Sequence, residues 1–237
     1  MATYEKKIPG QDAVSPVETR TRRVTAPQSQ SDIAYERLKS GLTTLAYKPG
    51  EYLNASSLMT EFGLGRTPII QALHRLSTEG LVNILPRKGV MVAPLSIDDA
   101  LHLIEVRIVN EALCVRLAAE RISSREIEQL ELLSQQIEAA VRSRELATVL
   151  THDKQFHDKI TLASGNPVLV ELLGLLQARS QRFWALSLSN ETHLDEVLDE
   201  HNEVLRALKR HDGEAAVLAI QRHIESFQHS LLKGRSP

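Results

Sequence analysis

Disulfide chemistry is closed to this chain, because its 237 residues include a single cysteine, Cys114, and one thiol cannot form an intrachain bridge. Aromatic residues are equally scarce at 4%, which argues against a nucleic-acid surface of rings stacked on a sheet. No apolar run approaches the roughly 18 residues of a membrane span, and the N-terminus lacks the apolar core of a secretory signal. These absences give the expectation of a cytoplasmic protein with no membrane partner. What is present is ordinary for a soluble globular chain. Hydrophobic residues make up 42% and charged residues 24%, which excludes wholesale disorder and coiled-coil or collagen-like architecture. The length fits one or two domains.

The formal net charge of −2 hides a division. Residues 1–95 carry 12 Lys and Arg against 8 Asp and Glu, whereas residues 96–237 carry 16 against 22. An electropositive module joined to an acidic one is the reading of that asymmetry, although an ordinary solvated surface accounts for it as well. Residues 1–30 contain Pro9, Pro16 and Pro27 and no repeating apolar face, so they are expected to form a mobile tail whose Arg20, Arg22 and Arg23 can touch DNA phosphates or simply stay solvated.

Beyond the tail, Ser31 and Asp32 open a helical pattern carrying Ile33, Tyr35, Leu38 and Leu42. Pro49-Gly50 marks a turn, Ser56 or Ser57 can cap a short helix, and Gly63 ends it. A third helix is predicted with Thr67 as N-cap and Pro68 at the first helical position. Its stripe of Ile69, Ala72, Leu73 and Leu76 faces inward, leaving Thr67, Ile70, Gln71, His74 and Arg75 outward, where the N-terminal half can enter a major groove. Arg66, just before that helix, can reach a guanine edge or a phosphate. Two β-prone runs, Leu81 to Leu85 and Val90 to Ala93, flank Pro86-Arg87-Lys88-Gly89 and predict a hairpin, with Arg87 and Lys88 suited to phosphate or minor-groove contact, an ordinary basic turn being the other reading. The expectation for 31–95 is a winged helix-turn-helix. A lone winged helix reads few base pairs, so a homodimer on double-stranded operator DNA is expected, with Leu113 and Leu117 or Leu175 and Leu176 as candidate interface positions.

From Ser96 onward the pattern becomes successive amphipathic helices, predicted at 97–121, 124–143, 146–163, 167–188, 193–210 and 213–232, with Ser96, Ser123, Asn166 and Asp212 as boundary signals. No strand candidate interrupts them. The fold class is therefore mainly α, with an all-α six-helix bundle over 96–233. Nine histidines are present, and helical faces sort them. His152, His193, His211 and His229 fall off the apolar stripes, and His102 is assigned to neither face. His157 lies in the stripe Leu146, Leu150, Asp153, His157, Ile160; His201 lies in Leu194, Leu198, His201, Leu205, Leu208; His223 lies in Ala216, Ile220, His223, Phe227. One carboxylate and three imidazoles pointing inward carry a large desolvation cost unless they pair or bind a cation. Asp153, His157, His201 and His223 are therefore candidate ligands for one divalent transition metal, zinc first, with nickel, manganese and iron also accepting such donors. Ligation requires neutral imidazoles, so metal affinity is expected to fall as pH drops through the imidazole range.

The segments Gly50-Glu-Tyr-Leu, Leu64-Gly-Arg-Thr-Pro-Ile-Ile-Gln-Ala-Leu-His-Arg-Leu-Ser-Thr-Glu-Gly-Leu-Val and Arg87-Lys-Gly-Val resemble the DNA-binding domain of GntR-family transcriptional regulators. Many members have Arg-Glu where this chain has Ile70-Gln71. Ile70 can meet a thymine methyl or pack under the wing, and Gln71 can pair with adenine or stay solvated. Asp153-x-x-Phe-His157, then Ser164-Gly-Asn166-Pro, then His201 and His223 are similar to the FCD domain of the FadR subfamily, in its shorter VanR-like form. The resemblance implies that the four candidate ligands hold a metal, that a small organic acid binds beside it, and that Arg107, in Glu105-Val-Arg107, meets the acid. A surface or interhelical salt bridge is the other reading of Arg107. The function expected is a DNA-binding regulator, commonly a repressor, that performs no chemistry. The alternatives are a metal-dependent hydrolase, for which Glu171 or Glu200 are nominal bases that no spacing selects, and a metal that only braces the bundle.

Overall fold

The computed structural model describes residues 28–187 and 191–233. The expected tail therefore lies outside the described residues up to position 27, as does the side chain of His193, while Ser29 caps the first helix and Gln30 opens it. That helix, α1 (Gln30–Thr43), starts two residues before the Asp32 signal because Ser29 is its cap and accepts from the Asp32 backbone N–H. Helix α2 (Ala55–Phe62) is capped by Asn54, not by Ser56 or Ser57; the Asn54 carboxamide accepts from both of their N–H groups, and Gly63 ends the helix in the left-handed region. In α3 (Arg66–Thr78) the cap is Gly65, without a side-chain bond, so Arg66 and Thr67 are already helical. The Arg-Thr-Pro run had suggested Thr67 as cap, but Pro68 fits anywhere in a first turn, where its missing N–H costs nothing.

Three strands form the wing. The expected hairpin is β2 (Val82–Leu85) and β3 (Gly89–Val92), and β1 (Tyr52–Leu53) adds to the other edge of β3 in the order β1-β3-β2. Two residues carry no periodicity, so β1 is invisible to pattern reading; it exists because β3 offers the edge that β2 leaves unpaired. The core beneath consists of Leu38, Leu42, Ile69, Leu73, Leu76, Leu81 and Val92, with essentially no exposure.

Six helices follow: α4 (Ile97–Arg121), α5 (Ser124–Arg142), α6 (Leu146–Ala163), α7 (Pro167–Ser187), α8 (Glu191–Lys209) and α9 (Gly213–Lys233). Ser96 caps α4, Ser123 and Glu126 form a reciprocal capping box on α5, Asn166 accepts from two N–H groups of α7, and Asp212 accepts from Ala215. The bundle core includes Ile104, Leu130, Ile137, Phe156, Leu208 and Ile224. Leu146, placed first in one inward stripe, is exposed because it opens its helix beyond the packed region. Helix α7 also joins the domains. Its Ala178 is buried in the winged-helix core, and Arg182 donates to the Ala93 carbonyl just past the wing.

Candidate metal and effector site, and the DNA-reading surface

Three helices of the bundle bring the inward histidines together. Asp153 and His157 project from adjacent turns of α6, His201 comes from α8 and His223 from α9, and all four are buried. Ligand-type nitrogens of the three histidines lie within 4.8 Å of one another. Asp153 joins them through Oδ1, 3.3 Å from His201 Nε2 and 3.8 Å from His157 Nε2. Both ring nitrogens of His201 are buried without a hydrogen bond; the short contact to Asp153 lacks the alignment of one. An imidazole with both nitrogens unsatisfied is costly, and a cation among these donors removes that cost.

Burial sets the protonation of the cluster. Desolvation lowers the His157 pKa to about 4 and that of His223 to about 3, outweighing the pull of Asp153. Both rings are thus neutral and ligand-ready over the physiological range. Their proton competition begins well below the imidazole range assumed from sequence. Burial also opposes ionisation of Asp153, but the facing His201, with His157 and His223 once they are protonated at low pH, holds the carboxyl down to about 2.

Two carboxylates that pattern reading did not assign complete the surroundings. Glu200 accepts from His223 Nδ1 at 2.9 Å, which fixes the tautomer and leaves Nε2 to face the cluster. Its position beside His201 in sequence gave no sign of this, since Glu200 reaches across to α9. Glu111 is buried, takes a 2.6 Å hydrogen bond from Arg107 Nε, and has its other oxygen 3.9 Å from His157 Nδ1. Burial raises the Glu111 pKa, but Arg107 and His157 bring it below the ordinary value. The i,i+4 spacing of Arg107 and Glu111 was a readable signal. Arg107 is accordingly neither a surface nor an interhelical salt-bridge residue; it is a buried, intrahelical one. With Asp153, His157 and His223 it walls a chamber of about 30 Å³, to which α7 contributes Gln177, Ser180, Gln181 and Trp184. Ser180 Oγ is buried there without a hydrogen-bond partner.

On the first domain, Arg66, Thr67, Gln71 and His74 are exposed along one side of α3, and Arg87 and Lys88 are exposed at the wing turn. Arg87 itself adopts φ 63°. Two expected DNA residues also have partners within the domain. Arg75 lies 3.5 Å from the centre of the Tyr35 ring and pairs with Asp32 at 3.5 Å and Glu79 at 3.7 Å. Ile70 is half-buried against the winged-helix core.

A winged helix presenting a polar face, joined through a shared helix to a bundle with a buried polar chamber, is the architecture of a two-domain transcription regulator. Comparison with known proteins agrees. The family of bacterial regulatory proteins named gntR matches residues 30–92, and the FCD domain matches residues 102–226. The Nta operon transcriptional regulator of Aminobacter aminovorans is 33% identical over 193 residues, covering 76% of this chain and 86% of that protein. The HTH-type transcriptional repressor RspR of Escherichia coli is 24% identical over 207 residues, covering 87% and 90%. The solved structure of E. coli McbR/YncC superposes with a TM-score of 0.81 at 22% identity, over 88% of this chain and 99% of that one, and shows the shared fold. The chain belongs to the GntR family, in the group whose C-terminal domain is FCD. It is a DNA-binding transcriptional regulator and not an enzyme, which removes the hydrolase reading. Among the described residues, no helix is long and apolar enough to cross a membrane.

Proposed function

We propose that this regulator is a homodimeric repressor whose FCD domain binds one divalent transition metal through Asp153, His157, His201 and His223, and a small carboxylate through Arg107, and that the acid alters operator affinity. The carrying observation is the buried meeting of three imidazoles from three helices, one of them with neither nitrogen satisfied. The ion would supply a Lewis-acidic point for an oxygen of the acid; a six-coordinate ion held by these four donors would keep two positions for it, whereas tetrahedral zinc bound by all four would keep none. Glu200 orients His223, while Glu111 holds Arg107 by Nε and leaves the remaining guanidinium N–H groups for the ligand. An acid bound among α4, α6, α7 and α9 favours one packing of the bundle, and α7 carries that preference to the winged helix it touches. Repression is supported by the name of RspR. Arg66, Thr67, Gln71 and His74 are proposed to read the operator, with Arg87 and Lys88 on phosphates and Ile70 and Arg75 supporting the recognition helix.

Elemental analysis and operator binding of His201→Ala test this reading. The variant is expected to lose bound metal and effector response while its winged helix still binds operator. Full metal occupancy in an Asp153, His157, His201 and His223 quadruple alanine variant would overturn the site. A purely structural metal predicts something else: chelation unfolds the bundle, and no acid changes DNA affinity.

A further inference from the structure

A second and much larger cavity adjoins the chamber. It lies between α4, α6, α7 and α9, has a volume of about 280 Å³, and is walled chiefly by Cys114, Val115, Ile160, Val170, Leu173 and Ile220. A water needs roughly 10–15 Å³ on this measure, so the chamber of about 30 Å³ at Arg107 takes on the order of two waters, whereas the larger cavity takes about twenty. The chamber has room for the polar end of an acid and little else. Any sizeable remainder of the ligand must lie elsewhere.

Three observations say what that remainder is. First, His157 and Gln177 wall both cavities, and the half-buried Gln177 side chain makes no hydrogen bond among the described residues, so it can swing aside at little cost. Second, Gly174 lies inside α7 and borders the larger cavity, and a Cβ added there would meet nothing within 4 Å. Glycine weakens a helix interior, and no neighbour here requires its smallness; what it preserves is open space. Third, Arg107 is the one arginine or lysine among the described residues lining the two cavities, while the larger one is bordered by the carboxylates of Glu111 and Asp158. A second carboxylate on the ligand would face anions, and a polyhydroxylated body would face an apolar wall.

We propose that the larger cavity receives a hydrocarbon tail, so that the effector is a monocarboxylate with a body of several carbons, in preference to a di- or tricarboxylate or a sugar acid. The assignment rests on the proposed carboxylate position at Arg107, and Gln177 is the gate between head and tail.

Calorimetric titration of the full-length, metal-containing protein with straight-chain monocarboxylates from acetate to decanoate, and with succinate and citrate, tests it. Kd should fall about threefold to fourfold per added methylene while the tail is being buried, then level off. Succinate and citrate should bind more weakly than the best monocarboxylate. Gly174→Leu, monitored by its melting curve, should shift the optimum to shorter acids. Affinity independent of chain length, tighter binding of citrate or succinate, or an unshifted optimum in folded Gly174→Leu would overturn the tail site. Arg107→Ala separates the two readings: chain-length dependence that survives there with undiminished affinity keeps the tail site and removes the head-group assignment. Failure of every acid to bind the parent protein removes both.

Discussion

Charging an imidazole that has lost its water is expensive, and the buried histidines of the FCD domain carry that cost into the stability of the whole domain. With folded-state pKa values of about 4 for His157 and about 3 for His223, against roughly 6.5 in the unfolded chain, the unfolded state binds more protons between these limits. Stability is therefore full above the unfolded value and declines as pH falls from about 6.5 toward the folded values. Melting temperatures of the metal-free, chelator-treated protein should drop between pH 7 and pH 5, and His223→Asn should flatten that dependence. A profile as steep in the variant as in the parent would show that His223 is not one of the groups responsible. Glu200 offers a second test. Because it fixes His223 from outside the donor set, Glu200→Gln should weaken metal binding on the order of 10- to 100-fold without abolishing it, read by competition with a chromogenic chelator. Sequence periodicity placed all three imidazoles and Asp153 on inward faces. It was silent about Glu200 and Glu111, since a face tells which way a residue points and not which residue of another helix it meets.

At the level of elements, the proposed reading divides DNA recognition between α3 and the wing by chemistry. Arg66 stands exposed at the start of α3, where a guanidinium can reach a base edge, and Arg66→Ala should cost about 1–3 kcal/mol of operator affinity and relax specificity at one position. Lys88, exposed at the wing turn, has only a point charge to offer. Lys88→Ala should weaken all sequences alike and reduce the salt slope by about one. Equilibrium binding to operator and scrambled duplexes at several salt concentrations distinguishes the two patterns, and identical behaviour of both variants would refute the division. Arg75 shows the limit of reading one helix at a time. Its outward position on α3 suggested DNA, but α1 supplies Tyr35 and Asp32 to hold it. Ile70 likewise faces outward on an isolated helix and packs once its neighbours are in place.

For the whole molecule, operator recognition by one winged helix is too short to be selective, so a dimer is expected. Exposed Val106, Val109 and Leu113 recur along one side of α4, and Val168 and Leu175 are exposed on α7, which packs beside it. Light scattering at micromolar concentration should give a dimer mass, and Val109→Glu with Leu113→Glu should halve it; a monomeric parent would reject the interface. The same helix α7 belongs to both domains, because its Ala178 and Arg182 reach the winged helix while Gln177, Ser180 and Gln181 wall the chamber. By itself the sequence determined the two-domain plan, most helix boundaries and the inward donors, because caps, turn residues and apolar spacing act within a few residues along the chain. Only the tertiary structure decided strand β1, the pairing of Arg107 with Glu111, the partner of His223, the occupation of Arg75 and the double role of α7. Each of these depends on which surfaces meet and which polar atoms are left to satisfy one another once water is excluded, and neither is written in the spacing of any one helix.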